Sequence, residues 1–90
     1  MKELFEAIGV LNSRTLLETF FRDLCTIGEL EAMAHRWQVA RLVNKGLPYT
    51  EIAEKTGAST ATVTRVAHWL NHGEGGYRSA IDLVKRSTAA

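Results

Sequence analysis

Residues 27–43, IGELEAMAHRWQVARLV, constrain this chain more than any other stretch. Ile27, Leu30, Met33, Ala34, Trp37, Val39, Ala40, Leu42 and Val43 recur at helical spacing, and they cover more than one side of the helix they predict. A helix apolar on several sides needs several packing partners. A chain of 90 residues supplies few. The pattern therefore predicts an all-helical protein that pairs with a second copy of itself.

The flanking segments repeat in the same way. Leu4, Phe5, Ile8 and Leu11 share a face of a first helix, which Asn12 and Ser13 interrupt. Ser13 is a suitable N-cap for a second helix carrying Leu16, Leu17, Phe20, Phe21 and Leu24 on one stripe. Thr26 and Glu29 form a capping box at the start of the long helix, which runs to about Lys45 and can stop at Gly46. Pro48 suits the first turn of a fourth helix that ends at Gly57. Ser59 caps a fifth, from about Thr60 to Asn71. GEGG at 73–76 reads as a hinge, because no strand precedes it to make a phosphate loop. A last helix follows over 77–87, with Ile81 and Val84 in its apolar stripe. No segment alternates like a strand. The reading is one domain over 1–90, with dimerisation helices in 1–46, a helix-turn-helix in 48–72 and a C-terminal helix in 77–87.

The fourth and fifth helices have the parts of a helix-turn-helix. Ile52 faces inward, Ala53 is small enough for a close crossing, and Gly57 can take the left-handed turn conformation. Rotating the fifth helix by ~100° per residue puts Val63, Val66, Ala67 and Leu70 on an inward face. Ala61, Thr64, Arg65, His68 and His72 fall opposite. Outward arginine, hydroxyls and small residues suit a major groove. Ser59, Thr60 and Ala61 occupy the N-terminal end that enters it. The candidate DNA contacts are Ser59, Thr60, Ala61, Thr64, Arg65 and His68, and Arg36, Arg41 and Lys45 could add charge. The net charge of +1 carries no signal of its own, so phosphate affinity must come from local placement and from two copies acting together.

Other chemistries are poorly served. Hydrophobic residues at 46% and charged residues at 23% argue against a disordered chain. The single cysteine, Cys25, excludes an internal disulfide and a cysteine-based zinc site, and reads as a small buried apolar residue. His68 and His72 have metal-ligand spacing without a third ligand. No membrane span, signal peptide or catalytic triad is visible, so the chain reads as cytoplasmic and not an enzyme.

From Thr26 through Leu83 the chain resembles the Trp repressor superfamily. The TxxE start with Arg36, the short helix ending in TGAS, and ATVTR at 61–65 carry the likeness. Within the superfamily it is most similar to an uncharacterised Trp-repressor-like branch. The resemblance implies an intertwined homodimer whose paired helix-turn-helix units read a palindromic operator. It also implies a corepressor pocket. Arg36 and Arg65 match the arginines that sandwich a tryptophan ligand, Thr62 matches a pocket threonine, and Thr26 lies near the other wall. Val66 and Trp69 depart by filling space where the tryptophan-responsive relative has glycine and serine. The expectation is a regulator, and more specifically a repressor, that binds double-stranded DNA with no cofactor and without tryptophan as corepressor. A small-molecule effector is left open. The alternatives are a helical protein-binding module of the transcription machinery and a repressor that depends on a tryptophan-like ligand.

Overall fold

The computed structural model describes residues 1–89, which form six helices: α1 (Lys2–Val10), α2 (Arg14–Leu24), α3 (Ile27–Asn44), α4 (Tyr49–Thr56), α5 (Thr60–His72) and α6 (Gly76–Ala89). No strand occurs among the described residues. The all-helical expectation holds, with shifts at the ends. Leu11 lies past α1 as an extended C-cap. Pro48 sits at the N-cap of α4, and its carbonyl receives the Ile52 N–H at 3.0 Å.

The chain divides into two compact units, Met1–Ala32 and Met33–Ala90. In the first, Ser13 caps α2 by accepting the Leu16 N–H at 3.1 Å. The capping box is formed in both directions. Thr26 N–H donates to Glu29 Oε1 at 2.8 Å, and Glu29 N–H donates to Thr26 Oγ1 at 3.1 Å. The Thr26 backbone bond, followed by the Thr26 side-chain bond, holds the Glu29 carboxyl below its usual range. A depressed carboxylate stabilises the fold above its unfolded pKa, so this contribution is present at neutral pH and is lost as pH falls through the folded value.

This unit buries none of its residues. Phe5 is 62% exposed, Leu16 48% and Ile27 54%. Cys25 is partly exposed at the end of α2 rather than buried. A helix end places it where the chain turns away from the apolar stripe.

The second unit holds the core. Val39 and Ala40 of α3, Ile52 of α4, Ala58 of the turn, and Val63 and Val66 of α5 form one buried cluster. Ala67 and Leu70 continue the buried face of α5. Leu42, Val43, Leu47, Ala53 and Tyr77 pack at its margin. Trp37 stacks on Tyr77 of α6, with ring centroids 6.4 Å apart and planes 21° off parallel. The many-sided apolar character of α3 is thus only partly satisfied within the chain, through Val39 and Ala40. Met33 stays 38% exposed.

Candidate nucleic-acid interface

Helices α4 and α5 are joined by a turn held by backbone and side-chain hydrogen bonds. Gly57 adopts φ +76°, the left-handed conformation that favours glycine, and its N–H returns to the Ala53 carbonyl at 2.9 Å. Thr56 Oγ1 donates to the Ile52 carbonyl at 2.7 Å and accepts the Ala58 N–H at 3.1 Å. His35 Nε2 of α3 pairs with the Thr56 carbonyl, one of the carbonyls a helix end leaves without an internal partner. The long helix therefore anchors the turn as well as the core beneath it.

Beyond the turn, Ser59 caps α5. Its Oγ accepts the Thr62 N–H at 3.1 Å and donates to Thr62 Oγ1 at 3.0 Å. The face assignment holds residue by residue. Val63, Val66, Ala67 and Leu70 are buried, while Ala61, Thr64, Arg65, His68 and His72 are exposed. Thr60 is exposed at the first turn. Thr64 Oγ1 donates to the Thr60 carbonyl at 2.9 Å, which engages its proton and leaves the oxygen able to accept. Arg65 offers a guanidinium with no ion pair among the described residues. On α4, Lys55 is paired with Glu51 at 3.5 Å. Arg65 is accordingly the principal cation of this face.

The residues suggested for a corepressor pocket are placed as follows. Arg36 is exposed on α3, and Thr62 is half-buried and engaged in the cap. Val66 is 3% exposed and belongs to the core. Thr26 is engaged in the α3 capping box. Trp69 is 55% exposed. Its ring neighbour is the adjacent His68, edge-on at 5.4 Å, and its other side borders a shallow depression with Gly73, Glu74, Gly76 and Tyr77. His68 and His72 lie 5.2 Å apart. No group of three His, Cys, Asp or Glu residues suited to a metal exists among the described residues.

Arg78 makes a pair of contacts that, like the His35–Thr56 contact, no sequence pattern marks. Arg78, in the first turn of α6, donates from Nη1 to Asn44 Oδ1 at 2.6 Å and from Nη2 to Asn71 Oδ1 at 2.8 Å. Its partners lie 34 and 7 residues away, and no local pattern links them.

Comparison with known proteins agrees with this geometry. The family model described as Trp repressor protein matches residues 1–85. The uncharacterized protein YerC of Bacillus subtilis is 42% identical over 87 residues, covering 97% of this chain and 84% of YerC. The crystal structure of a TrpR-like protein from Eubacterium eligens superposes with a TM-score of 0.87 at 40% identity, over 93% of this chain and 87% of that one. A candidate Trp repressor from Staphylococcus aureus gives 0.85 at 39% identity, over 93% and 84%.

Proposed function

The chain belongs to the Trp repressor family, and from that premise we propose that it is a homodimeric transcriptional regulator, acting as a repressor, that reads a palindromic operator with α5. The observation that carries this reading is the exposed row Ala61, Thr64, Arg65 and His68, presented by a helix whose opposite face is buried in the core. In this reading residues 1–46 interlock two copies of a single 1–90 domain. Residues 48–72 form the reading head, and 77–87 close it. The exposed apolar residues of α1, α2 and α3 support the pairing, because a second copy would remove them from water. The regulator works in the cytoplasm and carries out no catalysis of its own. No described helix is long and apolar enough to cross a membrane.

Tryptophan has no part in this proposal. Val66 is committed to the core, and Trp69 places an indole on the flank of α5. Both add bulk where a corepressor would need room. A ligand that finds no difference between two states shifts nothing, so DNA binding proceeds without a small molecule.

The test is selection from random duplexes followed by titration of the selected site. Arg65→Ala will weaken binding by ~1–3 kcal/mol, with the loss concentrated at one operator position if the guanidinium reads a base. Thr64→Ala will cost less. Equal losses on every sequence would assign Arg65 to phosphate, and an unchanged affinity of the folded variant would remove it from the interface.

A further inference from the structure

Arg78 joins the ends of two other helices. Asn44 is the last residue of α3, and Asn71 lies in the last turn of α5. Helix C-termini carry partial negative charge and favour a cation. The first turn of a helix, where Arg78 itself resides, disfavours one. The guanidinium is therefore held by its two acceptors and not by its own helix. Asn71 can accept in only one sense, because its Nδ2 already donates to the Ala67 carbonyl at 3.0 Å and leaves Oδ1 for Arg78. The connection from α5 to α6 is also tight. A Cβ at Gly73 would meet the Trp69 carbonyl oxygen at 2.4 Å, so the chain turns there with no room for a side chain.

The residues that seat α5 on the core are Val63, Val66, Ala67 and Leu70, all of them apolar. Apolar burial is non-directional. It holds a helix down without setting its angle closely. Hydrogen bonds from a planar fork to two separate acceptors are directional. We propose that Arg78 is a positioning residue for the reading helix: by clasping Asn44 and Asn71 it fixes the pose in which α5 presents Thr64, Arg65 and His68. This role in DNA binding rests on the function proposed above. The clasp itself does not.

The experiment uses the full chain and four variants, Arg78→Ala, Arg78→Lys, Asn44→Ala and Asn71→Ala, each checked for helicity. Amide hydrogen exchange is read first, without DNA. The last turn of α5 and the second turn of α6 exchange faster in every alanine variant, with Arg78→Lys between them and wild type, while the α4 amides do not change. Unchanged exchange at those turns overturns the clasp. Affinity for the selected duplex then falls about 3- to 10-fold in Arg78→Ala and in Asn71→Ala alike. The salt dependence stays as in wild type, and a fifth variant that combines Arg78→Ala with Asn71→Ala is no worse than either single one. A direct phosphate contact gives a different result: Arg78→Ala lowers the salt slope by about one while Asn71→Ala binds normally. That outcome overturns the positioning role. Failure of wild type to bind any duplex overturns the DNA reading and the part Arg78 plays in it, and the exchange data still decide the clasp separately.

Discussion

Ile52→Ala will destabilise the protein by about 2–5 kcal/mol, the range for truncating a fully buried branched side chain in a core that relaxes only partly. Ile52 has no exposed surface and is the largest of the fully buried side chains, with Val39 and Val63 next. It is the buried residue that α4 contributes to the cluster. Its removal takes away transfer energy and leaves a void among Val39, Val63 and Val66, whose backbones are fixed by two different helices, α3 and α5. Small domains have only about 5–15 kcal/mol in hand, so the variant stands close to unfolding at ordinary temperature. Urea denaturation at a single protein concentration reads the effect, since the stability of a dimer depends on concentration. A loss under about 1 kcal/mol would mean that α4 is held by something other than this cluster.

The second large effect concerns assembly. Phe5→Asp combined with Leu16→Asp will convert the proposed dimer of 10.0 kDa chains into monomers at micromolar concentration. Phe5 and Leu16 are exposed members of helices that bury nothing. If a second copy covers them, each new carboxylate loses its water without gaining a partner. Burying an unpaired carboxylate costs several kcal/mol, and each ~1.4 kcal/mol is tenfold in the dissociation constant. Trp37 is a less clean probe, because it stacks on Tyr77 within the same chain and its replacement also disturbs the second unit. Sedimentation equilibrium distinguishes the outcomes. A wild-type chain that is folded and monomeric at micromolar concentration would remove the dimer from the account. Wild-type-like assembly of the double variant would move the interface elsewhere.

The α4–α5 unit was legible in the sequence because its logic is local. A short helix resting on one core shows its buried face at every third or fourth residue, so rotation alone separated Val63, Val66, Ala67 and Leu70 from Thr64, Arg65 and His68. Gly57 was legible for a related reason, since a turn this tight requires a left-handed residue. What stayed hidden depends on elements meeting in space. Arg78 reaches Asn44 across 34 residues, and His35 reaches Thr56 across 21. Polar side chains of this kind read as solvated until their partners are known. Trp69 shows the same limit. The family likeness marked its bulk, but its edge-on neighbour is His68, a ring contact that helical rotation does not predict, since residues i and i+1 do not face each other on a helix. Cys25 was read by residue type alone, and its position at a helix end made it partly exposed.

The central claim is that paired α5 helices bind duplex DNA without a small-molecule ligand. It is tested most directly by titrating the selected duplex with wild-type protein from about 50 to 200 mM salt, with and without added L-tryptophan. The expected result is two chains per site, a logarithm of affinity that falls linearly with the logarithm of salt concentration, and the same line when L-tryptophan is present. No binding at the lowest salt, or binding that emerges only with L-tryptophan, would contradict it.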